Sequence, residues 1–128
     1  MTTESYQGRI SEDGKAVVLC ISEKGTRRPL PLRLALRRHS PTGFNWGYDG
    51  SGPAQLALAI LADYYRGDKT GENPAADLRT ERDYQDFKRK VVAALPQNQP
   101  WTLTREEVAA HVAAIHKEGR VSAAGATA

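Results

Sequence analysis

The hydrophobic pattern in the first third of the chain has the period of β-strands. Residues 6–10 form a short candidate strand, and residues 16–21 form an unbroken β-rich run. Between residues 30 and 37, leucine occupies every second position, which predicts a third strand with leucines inward and arginines outward. Glycine-containing turns at residues 12–15 and 23–26 separate these three segments.

The rest of the chain has the spacing of helices. Apolar residues three and four positions apart predict helices over residues 53–65, 81–95 and 105–117. Thr80 is the predicted N-cap of the second helix. The sequence Thr-Arg-Glu-Glu at residues 104–107 has the spacing of a capping box, which predicts the start of the third helix.

The order of these elements predicts an α+β fold, because the strands precede the helices as a block. A small antiparallel sheet of about three strands (residues 6–36) is expected to pack against three helices. We expect one domain over residues 1–118, a stop of the last helix at Gly119 and a disordered tail over residues 119–128. Residues 66–79, rich in glycine and charge, are expected to form an exposed loop.

Composition narrows the class of protein. No apolar run approaches the roughly 18–20 residues that span a bilayer, and the N-terminus lacks a signal-peptide core, so a cytoplasmic protein without a membrane partner is expected. Cys20 is the only cysteine, and His111 and His116 are five residues apart, which gives no zinc spacing. We therefore predict no metal, no cofactor and no catalytic residue. The net charge of +3 is compatible with an acidic partner.

The most distinctive segment is the aromatic-glycine connection, residues 44–53, which reads Phe-Asn-Trp-Gly-Tyr-Asp-Gly-Ser-Gly-Pro. Its glycines and proline predict a tightly folded entry into a helix with Gly52 or Ser51 as the N-cap. Backbone N–H groups at a helix start attract anions, so Gly50, Ser51 and Gly52 form a candidate anion site. The segment lacks a P-loop ending, and Asp49 would repel an anion, which favours a structural role.

A second unusual segment is basic. The arginine segment, residues 27–39, ends in His39 and holds five arginines and no acid: Arg27, Arg28, Arg33, Arg37 and Arg38. Such a cluster binds an acidic protein surface or nucleic-acid phosphates, and the nearby Trp46 and Tyr48 offer stacking surfaces. We expect Arg33 and Arg37 to share the outer face of the third strand. The alternative is that the arginines only solubilise an edge strand.

The segment from Phe44 to Leu61 resembles a family of small uncharacterised bacterial proteins that also occur in phages and plasmids. The matching features are Tyr6-Gln7-Gly8, Pro29-Leu30, Trp46 to Pro53 with the pattern Trp-Gly-Tyr-x-Gly-Ser-Gly-Pro, and Trp101 before the last helix. The resemblance spans most of residues 6–115. It carries no known activity and implies an accessory protein of mobile-element origin.

These observations favour a non-enzymatic binding protein whose partner is another protein. The resemblance makes an inhibitor of a host defence or regulatory complex one concrete form of this hypothesis. Two alternatives remain open. The first is a nucleic-acid-binding protein that uses the Arg27–Arg38 cluster, and the second is a nucleotide or anion binder, or an enzyme, at the Gly47–Pro53 helix entry.

Overall fold

The chain folds into a four-stranded antiparallel sheet with helices packed on one face. The computed structural model describes residues 2–67 and 72–127, and side chains as far as Gly119. The strands are β1 (Thr3–Ile10), β2 (Ala16–Ser22), β3 (Arg27–Pro29) and β4 (Trp101–Thr104), in the spatial order β3-β2-β1-β4. The helices are α1 (Ser51–Arg66), α2 (Pro74–Phe87) and α3 (Arg105–Thr127), and a π-helical turn (Lys88–Val92) follows α2. The predicted α+β class is confirmed.

Both predicted turns of the sheet are present. The turn between β1 and β2 contains Gly14 at a φ of 80°, and the turn between β2 and β3 contains Gly25 at a φ of 83°. The central strand β1 pairs with β2 and β4, so that Tyr6 lies between Cys20 and Leu103. These three side chains are buried and place the core on the helix side of the sheet.

The prediction of a third strand over residues 30–37 is wrong. β3 ends at Pro29, and Pro31 has no N–H to donate to a strand ladder. Arg33 adopts a φ of 60°, in the left-handed region that a strand does not use, and its carbonyl accepts a hydrogen bond from the Leu36 N–H at 3.0 Å. The alternating leucines therefore belong to an irregular loop with a turn.

The prediction of about three strands missed β4. Trp101, which we placed near the start of the last helix, begins this strand. Trp101 and Leu103 are buried, while Thr102 and Thr104 are exposed, which is the period of two expected for a strand with one face on the core. Four residues are too few for this pattern to stand out from a loop in the sequence.

Helix α1 occupies the centre of the fold, and the predicted helix entry near Pro53 is confirmed. Every residue from Gly52 to Asp63 is buried, so the helix contacts protein on all sides. The N-cap is Gly50 rather than Ser51 or Gly52, and its carbonyl accepts a hydrogen bond from the Ala54 N–H at 3.0 Å.

Helix α2 begins earlier than predicted. Its N-cap is Asn73, whose side chain accepts a hydrogen bond from the Ala76 N–H at 3.2 Å, and Pro74 occupies the first turn. Thr80, the predicted N-cap, is buried inside the helix and donates to the Ala76 carbonyl at 2.9 Å. Residues 74–79 of the predicted loop are thus helical, and residues 68–71 of that loop lie outside the described residues.

The capping box of α3 is confirmed. The Glu107 N–H donates to the Thr104 hydroxyl, and the Thr104 N–H donates to the Glu107 carboxylate, both at 3.0 Å. The helix continues to Thr127, past the predicted stop at Gly119, since one glycine weakens a helix by about 1 kcal/mol without ending it. The division into a domain over residues 1–118 and a disordered tail stays a prediction. Among the described residues, none of the helices has the length and apolar character needed to cross a membrane.

Candidate functional site

The aromatic residues of the connection are mainly structural. Trp46 is fully buried, donates its indole N–H to the Gln99 carbonyl at 3.1 Å, and packs edge-on against Trp101 with ring centroids 5.6 Å apart. It is therefore not a surface platform for stacking. Tyr48 remains 38% exposed, and its ring lies against Gly50, where an added Cβ would meet a ring carbon at 2.5 Å.

The glycines of the connection allow close backbone packing. Gly47 has a φ of 85°, and a Cβ at this position would lie 2.6 Å from the backbone of Gln97. Its N–H donates to the Val92 carbonyl at 3.0 Å, which ties the connection to the π-helical turn. A Cβ on Gly52 would approach the Cβ of Asn45 to 2.7 Å. These contacts give the glycine pattern a structural role.

The three candidate anion-binding residues lie together at the N-terminus of α1. Ser51 and Gly52 line an open polar groove of about 640 Å³, while Gly50 caps the helix. Asp49 lies directly before them and forms an ion pair with the buried Lys88 at 2.7 Å. The hydrogen bond from Lys88 lowers the pKa of Asp49, so the carboxylate keeps its charge beside the helix start. That charge disfavours a second anion there.

The Arg28 guanidinium is bonded to groups of the protein itself, although the side chain keeps 43% of its surface exposed. It donates to the Asp63 carboxylate at 2.7 Å and to the Thr3 hydroxyl at 3.0 Å. Asp63 is buried on α1 and also accepts a hydrogen bond from the Tyr6 hydroxyl at 2.8 Å. Burial, followed by the charge of Asp63, raises the pKa of Tyr6 and raises that of the Cys20 thiol to about 11. This network fastens the sheet to the central helix.

The remaining arginines do not share one face. Arg37 forms an ion pair with Glu81 at 3.2 Å, and Arg27 is exposed at the edge of the sheet. Arg38 is exposed in the loop that follows Arg37. The expectation that Arg33 and Arg37 project from the outer face of a strand is wrong, because no strand forms there.

A buried glutamine on α1 determines the path of the arginine segment. The side-chain oxygen of Gln55 accepts hydrogen bonds from the N–H groups of His39 (2.8 Å) and Ser40 (3.0 Å). Its amide nitrogen donates to the carbonyls of Leu32 (2.6 Å) and Arg37 (3.1 Å). All four hydrogen bonds of this amide are therefore used to hold the loop that contains Arg33.

Arg33 lies in an open cleft of about 630 Å³ between this loop, the end of α1 and the first turns of α2, which we call the Arg33 cleft. Its lining includes Arg33, Leu36, Arg66, Asp77, Leu78 and Glu81. Leu78 is 70% exposed. The Arg33 Nε is buried without a hydrogen-bond partner, and its guanidinium forms no ion pair with any described residue. Burial, followed by the charge of Arg66, lowers the pKa of Arg33.

A polar cluster that joins α1, α2 and α3 was not predicted. Buried Asp83 accepts hydrogen bonds from Tyr65 and from Arg82 (2.8 Å), and its oxygens lie 3.0 Å from the His116 Nε2. Burial raises the pKa of Asp83, but the hydrogen bonds from Arg82, Tyr65 and His116 outweigh it and lower the pKa overall. Because Tyr65 lies on α1, Asp83 on α2 and His116 on α3, the cluster holds the three helices together.

Within residues 2–67 and 72–127, the structure contains no group of three or more His, Cys, Asp or Glu side chains able to hold a metal ion. Cys20 is buried with a raised pKa, which makes it a poor nucleophile. The Arg33 cleft combines an exposed apolar side chain with a guanidinium that lacks an ion pair among the described residues.

Comparison with known proteins identifies the family. No curated protein and no solved structure matches the chain. The model of a family described as a family of unknown function, DUF6166, matches residues 6–114. These residues run from Tyr6 in β1 to the middle of α3, and they include the connection, the arginine segment and the Arg33 cleft. The chain therefore belongs to DUF6166.

Proposed function

We propose that this protein is a non-enzymatic binding protein that captures another protein at the Arg33 cleft. The observation that carries the proposal is the 70% exposure of Leu78 beside Arg33 in the same cleft. Burying a leucine side chain fully is worth about 1.5–3 kcal/mol, so a partner that covers Leu78 gains affinity. Arginine is also enriched among the residues that dominate protein interfaces.

The proposed binding surface differs from the one expected from the sequence, but the partner is still another protein. Trp46, Arg28 and Arg37 are removed from the binding surface, because they are buried or form ion pairs within the protein. Leu78 takes the place of Trp46 as the apolar residue of the proposed surface, and Arg33 stays part of that surface. Inhibition of a host defence or regulatory complex by a cytoplasmic, mobile-element protein is the concrete form that the family resemblance supports.

The test is quantitative capture of host proteins by the immobilised protein and its variants. We expect Leu78→Asp to remove at least one abundant captured protein, because a buried charge replaces the apolar centre of the interface. Ala113→Asp is the matched control, since Ala113 is exposed on helix α3, outside the Arg33 cleft. Both variants should keep the wild-type melting temperature. Equal capture by Leu78→Asp and the wild-type protein would refute the proposal.

Nucleic-acid binding is the second candidate function, and a different surface supports it. Arg9 and Arg27 are exposed on the sheet and border a groove of about 210 Å³ that also contains Gln7 and Leu19. Neither arginine forms an ion pair with a described residue. Binding through phosphates predicts an affinity for single-stranded DNA that falls steeply between 50 and 200 mM salt. It should also fall in Arg9→Gln and Arg27→Gln but not in Leu78→Asp.

A further inference from the structure

We propose that the Arg33 cleft recognises an acidic peptide segment in which a carboxylate side chain lies next to an apolar side chain. This inference rests on the proposed function, since it specifies the part of the partner that enters the cleft. The argument uses three properties of the cleft: its charge, its apolar lining and the fixed position of Arg33.

Internal pairing leaves Arg33 as the cation available to a ligand, in a cleft that also contains the exposed carboxylate of Glu72. Arg37 is paired with Glu81 at 3.2 Å, and Arg66 lies 3.6 Å from Asp77. Arg33 forms no ion pair with any described residue, and part of its guanidinium is buried. A carboxylate accepts two parallel hydrogen bonds from a guanidinium, and such charge-assisted bonds are stronger than neutral ones.

The acids of the cleft restrict the type of anion. Glu72, Asp77 and Glu81 line the same cleft as Arg33. A polyanion such as a nucleic-acid backbone would bring several phosphates close to these carboxylates, which repel it. One carboxylate placed at Arg33 meets less of that repulsion than several phosphates do. The charge distribution therefore favours an acidic side chain on a peptide over nucleic acid.

The apolar lining requires a neighbouring hydrophobic group on the ligand. Leu36, Pro74 and Leu78 lie in the cleft together with Arg33, and Leu78 is 70% exposed. A carboxylate alone leaves this surface in contact with water. A peptide with an aliphatic residue beside its acidic residue covers both parts of the cleft and gains from burial of apolar area.

The backbone holds Arg33 in place before a ligand arrives. Its φ of 60° is uncommon for a residue other than glycine and costs free energy. Gln55 donates to the carbonyls of Leu32 and Arg37, on either side of this position. Because the loop is fixed at both ends, a ligand does not need to order Arg33's backbone on binding, which lowers the entropic cost of association.

The experiment is an NMR titration of the full chain with capped dipeptides. Acetyl-Glu-Leu-amide is the probe, and acetyl-Gln-Leu-amide is the uncharged control of the same shape. We expect the first peptide to shift the Arg33 Nε–H signal and the Leu78 methyl signals together, in a saturable manner. The uncharged peptide should bind at least about fivefold more weakly, because it cannot form the charged pair.

Variants assign the effect to Arg33. Arg33→Gln should weaken binding of acetyl-Glu-Leu-amide to the level of the uncharged peptide. Arg38→Gln, which removes an exposed arginine from the same segment but outside the cleft, should leave the affinity unchanged. Acetyl-leucine, which carries its carboxylate at the chain end, tests a C-terminus as the occupant, and tighter binding of it would overturn the assignment to an acidic side chain.

The outcomes separate this inference from the proposed function. Equal binding of the charged and uncharged dipeptides would overturn the acidic specificity, while the cleft would remain an apolar docking surface. No shift of either signal at millimolar peptide would also overturn it. Capture of a host protein that depends on Leu78 is measured independently, so it can succeed when the dipeptides fail.

Discussion

The aromatic-glycine connection and the arginine segment have the two most unusual compositions in this protein, and the fold uses them in opposite ways. The connection directs Trp46 into the core and uses Gly47 and Gly52 for close backbone contacts. The arginine segment begins in β3, where Arg28 is paired with buried Asp63, and continues as a loop in which Arg33 has no ion pair among the described residues. The comparison teaches that a rare residue pattern marks a structural requirement as readily as a binding site.

The two segments are also connected through one side chain. Gln55 lies on α1 just after the connection, and it forms hydrogen bonds with four backbone groups of residues 32–40. The rigid connection fixes the start of α1, and α1 in turn fixes the loop that presents Arg33. A variant in the connection should therefore affect stability strongly, whereas a variant at the cleft should affect binding with little effect on stability.

The largest expected effect is at Gly47. Gly47→Ala should lower the free energy of unfolding by about 4 kcal/mol, because alanine is strained at a φ of 85° and its Cβ would overlap the Gln97 backbone. Urea denaturation measures this change. Gly43→Ala is the matched control, since nothing lies within 4 Å of a Cβ at Gly43, and it should change stability by less than about 0.5 kcal/mol. Similar losses in both variants would contradict the structural role of the connection.

The next effect concerns the link between the segments. Gln55→Leu should cost about 2–3 kcal/mol, because it leaves backbone groups of the arginine segment without hydrogen-bond partners. Hydrogen exchange should become faster at the His39 and Ser40 amides, because their N–H groups donate hydrogen bonds to the Gln55 side-chain oxygen. The Ala54 amide, bonded to the Gly50 carbonyl, is the internal control. Unchanged protection of His39 and Ser40 would show that the loop does not depend on Gln55.

The Asp83 cluster lies outside both segments, and its contribution to the free energy of unfolding depends on pH. The pKa of Asp83 is lowered in the folded protein, so its contribution to stability is complete above its ordinary pKa of about 3.9 and is lost as the pH falls through the lower folded value. Asp83→Asn should therefore lower stability by about 1–2 kcal/mol at pH 7 and flatten the loss of stability below about pH 4. Urea titrations at pH 7 and pH 3 measure both changes. If Asp83→Asn and the wild-type protein lose stability equally in acid, ionised Asp83 does not contribute to stability as described.

The smallest effect on stability is expected at Arg33. Arg33→Gly should leave the free energy of unfolding unchanged or raise it by up to about 1 kcal/mol. Glycine adopts a φ of 60° without strain, but it loses more conformational entropy on folding, which offsets part of the gain. Asn98→Gly is the matched control, since Asn98 has the same φ outside the cleft. Thermal unfolding compares the two. A loss above about 1 kcal/mol in Arg33→Gly alone would assign Arg33 a structural role instead of a binding role.

The sequence predicted those parts of the fold that depend on neighbouring residues. The turns at Gly14 and Gly25, the helix entry near Pro53 and the capping box of Thr104 and Glu107 are all local, and all are present. The Asn73-Pro74 start of α2 was also visible in the sequence, as a capping residue followed by proline. It was missed because Thr80 offered a second start closer to the apolar pattern.

The candidate site was less predictable because it depends on contacts between distant residues. The sequence indicated a cluster of arginines, but the pairing of Arg28 with Asp63 and of Arg37 with Glu81 follows only from the packing of the loop on α1 and α2. The exposure of Leu78 likewise depends on where α2 begins and how it packs. Hydrophobic periodicity does not reveal which apolar side chain a fold leaves in contact with water.

The position of β1 inside the sheet has a consequence for synthesis of the protein. β1 precedes the other three strands in the chain, yet one of its two neighbours, β4, follows only after α1, α2 and the π-helical turn. On the ribosome, β1 keeps an open hydrogen-bonding edge until β4 has emerged, and open edges promote aggregation. We expect prematurely terminated products that lack Trp101–Thr104 to depend on chaperones for solubility in the cell.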